Sequence, residues 1–240
     1  MTVTAVVVNS AIKRLSRVLC RVHDAQLTRV PQRGPLILVP NHINFLDAPV
    51  LYTHLRPRDV TALAKVETWD NPALRFLFNL AGAIPLRRGE ADVQALRRGL
   101  AALQEGRILA MAPEGHRSGH GRLQKGHTGV VLLALWSGAP LLPLASYGIE
   151  KFRSNVSRLR RTDYHIAVGN PFYLDAHGVK VTRQVRRQMA DEIMYQLAAL
   201  LPPDHRGQYA DLTQASVEYL RFPADSESNL CRADGFAGRA

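Results

Sequence analysis

Cysteine is scarce in this sequence: Cys20 and Cys231 lie near its opposite ends. Such a pair makes neither a metal-spaced cluster nor a disulfide framework and suits a reducing compartment, so no metal is expected. Aromatics are also few, at 7% of the chain, and none cluster among the basic residues. With no zinc spacing and no RNA-recognition motif, the signature of a nucleic-acid-binding module is missing, and no nucleic acid partner is expected. Long apolar runs are absent too. The most apolar stretch, Gly129 to Ala145, carries Gly138, Pro140 and Pro143 and falls short of the roughly 20 residues of a spanning helix. Residues 3–8 are apolar but too few for a signal-peptide core, and no cleavage-like site follows, so secretion is not expected. There is no Gly-x-Ser-x-Gly elbow, and neither cysteine has a partner motif, which argues against a covalent intermediate on the chain.

What the sequence has in excess is positive charge. Its 31 Lys and Arg residues against 20 Asp and Glu leave a formal charge of +11 over 240 residues. That balance points to a polyanionic partner: nucleic acid, anionic lipid or a phosphorylated substrate. A hydrophobic fraction of 46% suits a globular protein, and the length suits one large domain.

Periodicity orders the chain. Ile12, Leu15, Val18, Leu19 and Val22 recur at helical spacing while Lys13, Arg14, Arg17 and Arg21 take other faces, predicting a basic amphipathic helix over 12–22. Such a helix either lies in a bilayer interface or packs on its own domain. Strand-like runs follow at Leu36–Val39, Val60–Ala64, Ala83–Leu86, Ile108–Met111, Leu141–Ser146 and Tyr164–Val168. Helices are expected over Pro72–Leu80, from near Glu90 through Leu103, over Thr128–Trp136, and along Val181 to Leu201, where apolar residues recur every four positions. The alternation predicts an α/β fold with a largely parallel sheet flanked by helices, preceded by the N-terminal amphipathic helix. The expected organisation is residues 1–28 as a possible membrane anchor, 29–222 as the main domain, and 223–240, rich in Ser, Gly, Asp and Ala, as a flexible tail.

Three blocks follow strand ends, where α/β folds bind ligands. The first, Asn41-His42-Ile43-Asn44-Phe45-Leu46-Asp47, separates a His and an Asp by four residues. A carboxylate beside an imidazole fixes its tautomer and stabilises the imidazolium that forms as it takes a proton, which is what a general base needs. Asp47 could equally cap the helix entered through Ala48-Pro49. His54 and Asp59 repeat the same spacing, so spacing alone does not identify a pair. The second block, Gly82 to Gly89, delivers Arg87 and Arg88 ahead of a helix, either to grip a phosphate or as an exposed basic turn. The third, Ala112 to Ser118, carries Glu114, Gly115 and Arg117 and runs into a glycine-rich basic loop ending at Lys125 and Gly126. Its glycines allow backbone donors near an anion, Glu114 could orient Arg117, and the plain alternative is a mobile surface loop.

Together these blocks resemble the glycerophospholipid acyltransferase family, often named for its 1-acylglycerol-3-phosphate acyltransferases. The first matches its Asn-His-x4-Asp motif, the second its Gly-x-Ile-Pro-x-x-Arg-like block, and the third is similar to Glu-Gly-Thr-Arg-Ser. Ala139 to Leu144 looks like the fourth, proline-containing strand, and the resemblance runs from about residue 30 to 150, with Leu201 to Gly207 similar to the C-terminal region. It departs at His116, where the family usually has Thr, and at Asn44, where many members have Ser.

The resemblance implies His42 as general base oriented by Asp47, with Arg87, Arg88, Glu114, Gly115, Arg117 and Lys125 binding substrate. Arg117 is strongest by motif and Arg88 weakest. It implies direct transfer of a fatty acyl group from acyl-CoA or acyl carrier protein, as co-substrate rather than bound cofactor, to a lysophospholipid acceptor, with 1-acylglycerol-3-phosphate first among acceptors. It further implies an anionic membrane surface as partner and a peripheral or monotopic place on the cytoplasmic face. An acyl-thioester hydrolase is the chemically nearest alternative, since water could replace the acceptor hydroxyl.

Overall fold

Leu36, Ile37, Leu38 and Val39 are almost wholly buried, as a continuous branched run requires of a strand covered on both faces. In a computed structural model describing residues 3–89 and 92–231, they form the central strand β2 (Leu36–Pro40). The described strands around it are β1 (Cys20–His23), β3 (Val60–Lys65), β4 (Ile84–Leu86), β5 (Ile108–Ala110), β6 (Leu141–Tyr147) and β7 (Thr162–Val168). They make a seven-stranded sheet in the order β1-β7-β6-β2-β5-β3-β4. The five strands from β6 to β4 are parallel, as expected. The β7 strand runs antiparallel to β6, and β1 parallel to β7, so two strands at one edge are reversed. A two-stranded ribbon, β8 (Tyr173–Leu174) with β9 (Leu220–Arg221), stands apart.

Successive side chains of β2 feed opposite layers. Leu36 and Leu38 join a core with Val50, Leu51 and Tyr164, while Ile37 and Val39 join one with Val130, Leu133 and Ile193. The first layer is covered by α1 (Val3–Leu19) and α2 (Asp47–His54). The second lies under α4 (Val93–Gln104), α5 (Gly129–Ser137) and α7 (Arg183–Ala198). Between β3 and β4 stands α3 (Pro72–Leu80), started by Asn71, whose side chain accepts from the amides of Ala73 and Leu74. The short helix α6 (Phe152–Val156) precedes β7. Leu141, Leu142 and Leu144 are fully buried, so the fourth proline-containing block is a core strand.

Three expectations change. The N-terminal helix spans Val3–Leu19 rather than 12–22, and Cys20–His23 is a sheet strand, because pairing with β7 captures residues whose spacing also suited a helix. Residues 223–231 do not hang free: Asn229 is fully buried, and its amide donates to Gln196 Oε1 at 2.8 Å. The remainder of the expected tail, 232–240, and the expected helix start at Glu90 lie outside the described residues; α4 begins at Val93.

Candidate functional site

Parallel strands bring their carboxyl ends to one edge of the sheet, so the segments after β2, β4 and β5 all open there. As β2 ends, the Asn41 side chain continues its pairing with β6. Its Nδ2 donates to the Ser146 carbonyl at 2.8 Å, and its Oδ1 accepts from the Ser146 amide at 2.7 Å. This buried amide holds the chain in register while the backbone turns, and His42 sits on that turn.

The turn closes on Asp47. Its Oδ2 lies 3.0 Å from His42 Nδ1 and accepts from the amides of Ile43 at 2.6 Å and Asn44 at 2.8 Å. Asn44 pins the loop further: Oδ1 accepts from Leu46 N, and Nδ2 donates to the Ile149 carbonyl. Asp47 stands in the first turn of α2, yet its carboxylate engages the preceding turn, His42 and the Tyr164 hydroxyl rather than the amides of α2. Its side chain is nearly buried (3% exposed), while that of His42 keeps 25% exposure. In the tautomer whose Nδ1–H points to the carboxylate, Nε2 is the acceptor nitrogen of the ring, the arrangement a general base needs.

Glu114 does not orient Arg117. Its Oε1 accepts from the His42 amide and its Oε2 from the Gln124 amide, each at 2.9 Å. Burial pushes this carboxyl up from its usual range, and the two amide donors oppose that rise. Glu114 therefore staples the first block to the far side of the loop. The loop is no mobile connector: Ser118 N donates to the His42 carbonyl, Gly119 N to the Ile43 carbonyl, Leu123 N to the His205 carbonyl, and Gly126 N to the Tyr209 hydroxyl. Gly115 has φ +71°, and a Cβ there would meet the His127 ring at 3.1 Å, so both backbone and space call for glycine.

His42, Asp47 and Glu114 thus belong to one hydrogen-bonded unit, with Gly115 beside Glu114 in the chain and its amide on the Ala112 carbonyl. Arg117 is exposed on it, next to the Ser118 amide that binds His42. Arg87 and Arg88 follow β4, three strand positions from β2 and so about 14 Å away along the sheet. Both are exposed. Among the described residues, the side chains of Arg88 and Arg117 form no hydrogen bond or ion pair, whereas the Arg87 amide donates to Asp92. Lys125 lies apart, on a cavity of about 500 Å³ that it lines with Arg187, Gln188 and Tyr209. No group of three His, Cys, Asp or Glu suited to a metal ion occurs among the described residues.

Sequence reasoning gave Asn41 no role of its own and missed Ser146 and Tyr164 as partners. The Tyr164 hydroxyl donates to Asp47 Oδ1 at 3.2 Å. Nothing in a strand-like run announces such a partner 117 positions from its acceptor.

A chloroplastic 1-acyl-sn-glycerol-3-phosphate acyltransferase of Brassica napus is 28% identical over 144 residues, covering 58% of this chain and 41% of that protein. A lyso-ornithine lipid O-acyltransferase of Pseudomonas aeruginosa is 32% identical over 114 residues, covering 47% and 43%. A 1-acyl-sn-glycerol-3-phosphate acyltransferase of Limnanthes alba is 34% identical over 128 residues, covering 52% and 45%. The chain thus spans less than half the length of these relatives. The crystal structure of PlsC, the 1-acyl-sn-glycerophosphate acyltransferase of Thermotoga maritima, superposes with a TM-score of 0.58 at 20% identity. The match covers 79% of this chain and 77% of that one, a likeness of fold. The family model described as Acyltransferase matches residues 21–147, more than half of the 240, from β1 to the end of β6, and the chain belongs to that acyltransferase family.

Proposed function

We propose that the chain transfers a fatty acyl group from a thioester to the hydroxyl of a lysophospholipid, with His42 as general base and Asp47 as its orienting carboxylate. The observation that carries this reading is the 3.0 Å contact between His42 Nδ1 and Asp47 Oδ2 at the carboxyl edge of the sheet. The acceptor hydroxyl gives its proton to His42 Nε2 as its oxygen attacks the thioester carbonyl. The tetrahedral centre then collapses, the C–S bond breaks, and the thiolate takes the proton back from the imidazolium. Proton and acyl group are both accounted for without a covalent intermediate on the chain.

Arg117 is the first choice for the acceptor phosphate, since its neighbour Ser118 is bonded to the His42 turn; a guanidinium fork suits a phosphate. Arg87 or Arg88 serves an anionic group further along the edge. 1-Acylglycerol-3-phosphate is the leading acceptor, and an aminolipid acceptor is the alternative favoured by the Pseudomonas relative.

The same reading includes docking on an anionic bilayer. On α1 the buried residues are Ala5, Asn9 and Ser16, while Val3, Val7, Leu15 and Val18 are 57–81% exposed on the opposite face beside Arg14 and Arg17. A helix that turns its larger apolar side chains outward and carries basic residues beside them suits a lipid interface. Near its end, Arg161 donates to the carbonyls of Arg17 and Cys20, which sets Leu159, 98% exposed and flanked by Arg158 and Arg160, in the neighbouring loop. Among the described residues no helix is long and apolar enough to cross a membrane.

The test is thiol release from long-chain acyl-CoA and from acyl carrier protein, with and without lysophosphatidic acid or lyso-ornithine lipid. Acceptor-dependent release supports the transferase; release indifferent to acceptor makes the chain a thioesterase; no release with either donor ends the catalytic reading. Sedimentation with phosphatidylglycerol vesicles tests the docking face. Native protein should co-sediment, and a Leu15→Glu/Val18→Glu variant should not; equal sedimentation of the two would remove α1 from the lipid contact.

A further inference from the structure

Asp47 presents two oxygens, and the His42 turn uses only one. Oδ2 takes the imidazole and the amides of Ile43 and Asn44, whereas Oδ1 accepts from the Tyr164 hydroxyl at 3.2 Å. Tyr164 is fully buried on β7, the strand that runs against the five parallel ones, and lies beyond the 21–147 segment that defines the family match. A phenylalanine would fill the same space. The hydroxyl instead carries a buried polar group to the one carboxylate oxygen that the turn does not engage, and an unmet polar group in such a place is costly.

We propose that Tyr164 is a positioning residue: its hydroxyl fixes the rotation of the Asp47 carboxylate from the side opposite His42, keeping Oδ2 aligned with Nδ1. The inference rests on His42 acting as the base. Burial, with the charge of Asp47 beside it, holds the phenol well above its ordinary titration range, so it stays a donor. The other titratable groups facing this corner are His42 and, from β1, Cys20, whose thiol burial also pushes up. The Ser146 hydroxyl neighbours the phenol and donates to Asn41 Oδ1 at 3.2 Å, joining the ends of β2, β6 and β7 at one point.

Loss of the hydroxyl leaves Oδ1 buried without that donor. The less compensated charge of the carboxylate on the His42 side then favours the imidazolium, which keeps the base protonated to higher pH. Tyr164→Phe is therefore expected to lower kcat about tenfold with KM within twofold, the loss of one hydrogen bond to a charged group. It should also move the acidic limb of the kcat/KM profile up by about half a pH unit or more. In an Asp47→Asn background the same change should add less than about twofold, since groups acting as a unit are not additive. Replacing Tyr164 by 3-fluorotyrosine, which keeps the ring and strengthens the donor, should move the limb the other way, and this measurement decides if the phenylalanine variant does not fold. An unmoved acidic limb in the phenylalanine variant, or an equal loss in the Asp47→Asn background, overturns the proposal, even where melting temperature has fallen. If His42→Ala itself keeps full activity, the underlying function fails rather than the role of Tyr164.

Discussion

The two ends of α2 carry the same sequence pattern and do opposite things with it. At the start, His42 and Asp47 stand 3.0 Å apart, the imidazole partly open to solvent. At the end, His54 and Asp59, with equal spacing, make no pair. His54 is fully buried, its Nδ1 lies 2.9 Å from the Val50 carbonyl, and the carboxylate near it is Asp24 at 3.8 Å; Asp59, 67% exposed, pairs with Arg56. The difference lies in the path between the residues. After β2 the chain turns tightly and brings Asp47 back beside His42, whereas after α2 it runs out through Pro57 toward β3 and carries Asp59 away. For these two pairs, the same spacing becomes a contact only where the backbone reverses.

That contrast can be broken by exchanging which end is damaged. His42→Ala should cut acceptor-dependent thiol release by about 10²- to 10⁴-fold, the range of a general base, while His54→Ala keeps kcat within about twofold. Comparable losses from both would dissolve the distinction. Asp47→Asn should cost somewhat less than His42→Ala but still about 10²-fold or more, since an amide can hold the wrong tautomer, and Asp59→Asn should leave kcat within twofold in the same assay. Glu114→Gln comes next: its amide nitrogen must face one of two backbone N–H groups, so one staple bond is lost and kcat should fall about tenfold.

The smallest effect is on stability. Burial lowers the pKa of His54 from 6.5, against the raising influence of the Val50 carbonyl and Asp24 and with the lowering influence of Lys13 and Arg17. The folded state therefore favours the neutral ring. Its contribution is complete above about pH 6.5 and is lost as pH falls through the lower folded value, because the unfolded chain takes up the proton first. Native protein should melt earlier at pH 5.5 than at pH 7.5, and His54→Leu should lose part of that difference; an unchanged pH dependence would place the titrating group elsewhere.

Local signals were readable where local chemistry decides. Pro72 marks the start of α3, and the branched run at 36–39 marks a buried strand, both without reference to the rest of the chain. The 20–23 segment was misread because Val22 extends a helical spacing, and only pairing with β7, some 140 residues later, makes it a strand. The reversal of β1 and β7 was hidden for the same reason. At the site, the His42–Asp47 pair was legible as a pattern; Gly115 was read as room for an anion, whereas its backbone angle and the His127 ring are what call for glycine. Glu114 was assigned to its neighbour Arg117, the obvious opposite charge, because backbone amides as partners leave no mark in a sequence.

The staple made by Glu114 also separates two tasks that share one loop. It grips main-chain amides at 42 and 124, so the exposed side chain of Arg117 can be exchanged without loosening its hold on the His42 turn, whereas the His116 ring is tied to the Gln124 side chain at 2.6 Å. The loop is a bracket with one interchangeable fitting: variants confined to residue 117 would vary the charge shown at the edge of the sheet while leaving the hydrogen bonds around His42 in place.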